Sequence, residues 1–136
     1  MKYTVIDISG DVGIRAEGAS LEECFISSAI GLYSLITDLT HVAPTEGVEI
    51  HLMEDNLEIL LVRFLNELIF QFDTYGFIGK SLSVSINECE IFAKIKGEKF
   101  NPEKHTSKLI IKAATYHNLV LKKEDSLWIA EFVFDI

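Results

Sequence analysis

Residues 55–76, DNLEILLVRFLNELIFQFDTYG, decide the fold. Leu57, Leu60, Leu61, Phe64, Leu65, Leu68 and Phe72 recur at i, i+3, i+4 spacing, the apolar stripe of a helix lying on a core. Asp55 is the expected N-cap, because a short carboxylate can accept from the first free amides, and Gly76 ends the run. The most apolar window, LEILLVRFLNELIFQF, is broken by Glu58, Arg63, Asn66 and Glu67. It therefore falls short of the roughly 18 uninterrupted apolar residues that a membrane span needs.

Working outward, VEIHLME before this helix alternates as a strand, and THVAPTEG before that is a loop. Ser20 and Glu23 form an S-x-x-E capping box that opens an earlier helix. Leu21, Cys24, Phe25, Leu32, Leu35 and Ile36 carry that helix to about Asp38. Ahead of it, KYTVIDIS and a run with Val12, Ile14 and Ala16 on one face read as two strands joined by a Ser-Gly-Asp turn. Beyond Gly76 the pattern gives strands at about 80–87, 90–97, 108–115, 117–122 and 127–135. Strand, strand, helix, strand, helix, then strands is an α+β order. Its simplest form is two layers, a mixed β-sheet with two helices packed on one face, in a single domain over residues 1–136.

The chain has 136 residues, 49% of them hydrophobic, with only two prolines, which suits a packed core and argues against disorder. MKYTVIDI is too short and too strand-like for a signal peptide. Cys24 and Cys89 have no metal-like spacing and fall in apolar segments, so both read as reduced core thiols of a cytoplasmic protein. Twelve basic against 21 acidic residues leave a net charge of −9. That balance repels phosphate backbones and disfavours strong direct nucleic-acid binding, so protein or cation partners are expected.

GFIGKS resembles the end of a phosphate-binding loop, but the first glycine would have to stand at Thr74, and the segment runs helix to strand instead of strand to helix. Gly76 and Gly79 are turn residues on this reading. His41, His51, His105 and His117 share no i, i+4 metal spacing, and no G-x-S-x-G elbow is present. His117 draws notice inside KAATYHNL, beside Lys112, Tyr116 and Asn118; the plainer alternative is a strand bend at Asn118. Glu67 marks the edge of a buried helix face or could serve as an acid or base.

The acidic positions remain. EFVFDI is fit for the core up to its last residues and ends with Asp135 beside Ile136, whose α-carboxylate lies one residue away. These oxygens can converge on one point and suit a hard cation. If the first strands lie beside the last, Asp11 adds a third oxygen; otherwise Asp11 is a turn residue and Asp135 a solvated strand end. On this expectation Asp135 points with Glu131 and Val133, away from Phe132, Phe134 and Ile136.

DVGIRAEGASLEECFISSAIGLYSLITD, LLVRFLNELIFQFD, IKAATYHNL and the closing FDI together resemble the archease family, in its order and over nearly the whole chain. The resemblance implies a helper protein and not an enzyme. Archeases assist the tRNA-splicing RNA ligase that joins 2′,3′-cyclic phosphate or 3′-phosphate ends to 5′-hydroxyl ends with GTP and manganese. They speed guanylylation of the ligase histidine and allow multiple turnover. The resemblance also implies a calcium, magnesium or manganese site at Asp11, Asp135 and Ile136, the last through main-chain oxygen, with no catalytic residues. A longer tail would displace that terminal carboxylate. Lys112 and His117 match family positions and are assigned a partner-facing role only. The family's His-Thr-Ala-Asp reads Ile8-Ser9-Gly10-Asp11 here, keeping the aspartate alone. The rival readings are a stand-alone metal-dependent phosphoester hydrolase and a general chaperone or adaptor.

Overall fold

Helix α1 (Leu21–Ile36) is buried on nearly every side, with Cys24, Phe25, Ser27, Ser28, Ala29, Leu32, Tyr33, Leu35 and Ile36 all out of solvent. A helix buried all round must have partners all round. A Cβ at Gly31 would come within 3.2 Å of Ile14, whereas a Cβ at Gly79 would fall 2.5 Å from the Tyr33 ring. Ile14 and Gly79 belong to different sheets, so α1 lies between two of them. The computed structural model describes residues 2–8 and 10–136.

Strands β1 (Lys2–Ile8), β2 (Asp11–Gly18), β6 (Ala113–Glu124) and β7 (Leu127–Asp135) form a sheet of order β1-β2-β7-β6. Strands β3 (Glu46–Met53), β4 (Phe77–Asn87) and β5 (Glu90–Lys99) form a second, of order β3-β5-β4. Every pairing is antiparallel. The α+β class and both helices stand, but the strands divide between two antiparallel sheets in place of one mixed sheet. The cause is the breadth of the apolar surface of α1, which a single sheet could not cover.

Helix α2 (Leu57–Tyr75) buries Leu60, Leu61, Val62, Phe64, Leu65, Leu68 and Ile69 and packs chiefly on β6. Its cap is Asn56, one residue later than expected: the Asn56 side chain accepts from Ile59 N–H at 2.9 Å. Gly76 ends the helix at φ 72°, left-handed backbone that glycine adopts without strain. Ser20 caps α1 by accepting from Glu23 N–H at 3.1 Å, while the Glu23 carboxylate accepts from Ala19 N–H at 3.0 Å. Cys24 is buried, and burial, helped by nearby Glu17, pushes its thiol up to about 12, so it stays a protonated core group. Cys89 departs from expectation: it sits half-buried where β4 turns into β5.

The expected strand at 108–115 does not begin until Ala113. Lys108 and Leu109 instead donate their backbone N–H groups to Ile36 and Leu35 carbonyls at 3.0 Å each. These are the orphan carbonyls at the end of α1, which has no glycine cap, so residues 100–112 close the helix from outside. The same segment is clipped by Glu98, whose carboxylate accepts from Lys104 Nζ (2.8 Å), Ala43 N–H (2.7 Å) and His105 Nε2 (3.0 Å). The His105 Nδ1 accepts from Asn101 N–H at 2.9 Å, so Nε2 carries the proton that it donates.

Those donors, Lys104 first and Ala43 next, hold the Glu98 carboxyl down to about 2 from 4.5. A depressed folded value stabilises the protein fully above the unfolded value and loses that contribution as pH falls through about 2. The urea midpoint of the wild-type protein is therefore expected to drop more steeply between pH 4.5 and 2 than that of Glu98→Gln. Parallel curves would show that the clip adds nothing.

Candidate metal corner and the β6 bulge

The β2–β7 ladder ends on the pair Val12–Phe134, and one step beyond it stand Asp11 and Asp135. The start of β2 and the C-terminal end of β7 therefore meet at one end of the two central strands of the four-stranded sheet. Two local features bring them there. Gly10, at φ 80°, lies in the turn that delivers Asp11 to the start of β2. At the other end Phe132 and Phe134 are buried and meet edge to face at 5.4 Å, which fixes β7 up to its last residue. Asp11 is half-buried; Asp135 and Ile136 are exposed.

Lys112 joins the same corner. Its N–H donates to the Asp135 carbonyl at 2.9 Å, and Ala113 pairs with Asp135 across β6 and β7. The oxygens the corner offers a cation are the two side-chain carboxylates and those of Ile136, while the Asp135 carbonyl keeps a second lone pair beside its Lys112 bond. Among the described residues, no ion pair involves Asp11 or Asp135. No group of three or more His, Cys, Asp or Glu side chains stands together among them either. The donor set is all oxygen, carries carboxylate charge and lacks nitrogen and sulfur, which fits a hard divalent ion with positions left for solvent.

His117 is not at the corner. It stands further along β6, in a wide bulge: Thr115 pairs with Val133 and Val120 with Glu131, so residues 116–119 face Phe132 alone. Asn118 turns the chain there at φ 54°, as the plainer sequence reading expected. Thr115 Oγ1 donates to the Val133 carbonyl at 3.0 Å and accepts from His117 N–H at 3.3 Å. Tyr116, His117 and Asn118 are exposed on this projection. Bulges of this kind re-aim side chains. The extra residues belong to β6 and β7 itself runs unbroken, and Val133 is buried and shares the wall of a hollow with Glu131, Ile6 and Asn118.

Asn66 escaped the sequence reading. From α2 its Oδ1 accepts from Ala114 N–H at 2.8 Å and its Nδ2 donates to the Ala114 carbonyl at 3.2 Å. The available signal was its spacing: Val62 and Ile69, four before and three after, are both buried, so Asn66 lies on the helix's inner face. A buried-face amide needs partners, and a strand edge supplies them. A separate hollow of about 370 Å³ lies on the outer face of the three-stranded sheet, where His51 stacks on Phe92 at 4.2 Å. It contains none of the corner residues.

The archease protein family matches residues 3–136 of this sequence. The chain belongs to the archease family. Protein archease from Sulfolobus acidocaldarius is 36% identical over 137 residues, covering 99% of each chain, and that from Thermococcus kodakarensis is 37% identical over 140 residues, again 99% of each. The solution structure of Methanobacterium thermoautotrophicum protein 1598 superposes with a TM-score of 0.83 at 26% identity, over 98% of each chain. A crystal structure from Thermotoga maritima, described as an archease and possible chaperone, gives 0.69 at 20% identity, over 96% of this chain and 94% of that one, and supports the fold alone. In this archease Ser9 lies outside the described residues, so the departure at Ile8-Ser9-Gly10 has no structural account. No helix among the described residues is long and apolar enough to cross a membrane.

Proposed function

We propose that this archease is a cytoplasmic protein activator of a tRNA-splicing RNA ligase, without ligase activity of its own. On this reading a calcium, magnesium or manganese ion is held by Asp11, Asp135 and the main-chain oxygen of Ile136. Lys112 and His117 face the partner. The observation that carries the proposal is the placement of Asp11 and Asp135 one step past the Val12–Phe134 pair, at the open end of the two central strands with the bulged β6 beside β7. The resemblance to archeases suggests the partner class, and a net charge of −9 favours docking on a protein with basic nucleotide and RNA clefts over direct RNA binding.

When bound, the ion neutralises the gathered carboxylates and offers open coordination positions to a group from outside the chain. The protein's own part is to hold those oxygens together: β2 and β7 bring in the carboxylates, and Lys112 N–H ties the Asp135 main chain to the start of β6. The deciding experiment times GTP-dependent guanylylation and multiple turnover of the cognate ligase with and without this protein. Faster guanylylation and repeated turnover are expected. Equal rates in both arms, or phosphoester hydrolysis by the isolated chain with metal, would overturn the reading.

A further inference from the structure

We propose that Asn66 is a positioning residue, which locks Ala114 from α2 and thereby sets the Lys112–His117 segment against Asp135. The inference rests on the corner being the working site. Strand β6 is an edge of its sheet, so one side of its backbone has no strand neighbour. Its ladder is further loosened just past Thr115 by the bulge. An edge that is both unpaired and bulged should not hold two functional side chains steady, yet Lys112 and His117 lie on either side of Ala114.

The Asn66 side chain resolves this, because its amide carries one acceptor and donors in nearly the arrangement of a peptide group. Facing Ala114 it closes a two-bond ring and acts as a β-partner one residue long. The orientation is forced: turning the amide over would set donor against donor and acceptor against acceptor. Ala114 is only 5% exposed, so water is a poor substitute for either bond. The neighbouring residue Ala113 is the pair partner of Asp135. Thus the end of β7 is gripped on one side by β2 and on the other by a strand whose place is fixed from α2.

The test compares Asn66→Ala, Asn66→Asp and the control Ser28→Ala, which deletes a buried bond to the Cys24 carbonyl within α1 and leaves β6 untouched. Asn66→Ala is expected to speed amide exchange at 113–117 by at least about tenfold. Calcium affinity should fall by about tenfold, the usual scale for losing a group that orients a ligand. Asn66→Asp keeps the acceptor and loses the donor, and should fall between. Ser28→Ala should leave both readouts at wild-type values even where it lowers the melting temperature. Wild-type exchange and affinity in Asn66→Ala, or the same changes in Ser28→Ala, would overturn the assignment. Should the wild-type protein bind no calcium or fail to stimulate the ligase, the reading of the corner falls instead, while exchange at 113–117 still decides whether Asn66 holds β6.

Discussion

Asp135→Asn is expected to weaken calcium binding by about a hundredfold, close to 2.7 kcal/mol. The substitution is nearly isosteric at an exposed position, so folding should change little and the loss should read as charge. Each carboxylate is a large share of a donor set that has only two side chains and a terminus, and no other described acid, His or Cys completes a cluster there. Asp11→Asn should act in the same direction. An alanine appended after Ile136 keeps both aspartates and moves the terminal carboxylate one residue away, so it isolates the contribution of the chain end. Calorimetric titration with calcium separates the three. Wild-type affinity in Asp135→Asn would remove the corner from consideration as a cation site, and wild-type affinity in the extended chain would remove the terminal carboxylate charge alone, leaving the Ile136 carbonyl.

The parts of this architecture that depend on local chemistry were legible in the sequence. The Ser20–Glu23 box, the Gly76 stop and the Leu-Phe stripe of α2 each report bonds or burial within a few residues, and each forms. The parts that depend on competition between distant segments were not. Lys108 and Leu109 have the composition of a strand, but their amides serve the end of α1. Nothing local reveals that, because the demand comes from carbonyls more than 70 positions earlier. The two sheets escaped notice for a related reason. Alternation shows that a strand has an inner face but does not say which sheet it joins, and only the all-round burial of α1 requires a second one.

The corner shows the same division. Asp135 and Ile136 were candidates from adjacency alone, whereas adding Asp11 depended on β2 pairing with β7, a register that the sequence could only suppose. Asn66 was visible as an interruption of an apolar window, but its partner is the backbone of a strand 48 residues away. Side-chain identity locates such a group; only the fold says what it holds.

Gly97→Ala should cost about 3 kcal/mol or more, a large part of the roughly 5–15 kcal/mol that holds a domain of this size together. Gly97 lies in the central strand of the three-stranded sheet, paired with Glu46 on one side and Gly79 on the other. A Cβ there would fall 1.8 Å from the Ile78 carbonyl oxygen and 2.9 Å from Gly79 Cα. Those atoms are backbone, so no rotamer change relieves the clash, and Ile78 is itself buried. The close approach exists because β4 is bulged there, its register slipping between Gly79 and Ser81. The extra residue is Lys80, whose Nζ donates to the Leu39 carbonyl at 2.5 Å. Phe77, Ile78 and Gly79 are consecutively buried before the strand settles into alternation, and the bulge marks that change. Relieving the clash means parting β4 from β5 at the point where Gly79 of β4 packs on Tyr33 of α1. Gly47→Ala is the matched control, since its nearest neighbour would be 3.8 Å away. Urea unfolding should show a midpoint lower by roughly 1.5 M for Gly97→Ala and within about 0.3 M of wild type for Gly47→Ala. Failure of Gly97→Ala to fold at all would lie in the expected direction, and equal midpoints for the two variants would mean that β4 and β5 do not approach as closely as the clash requires.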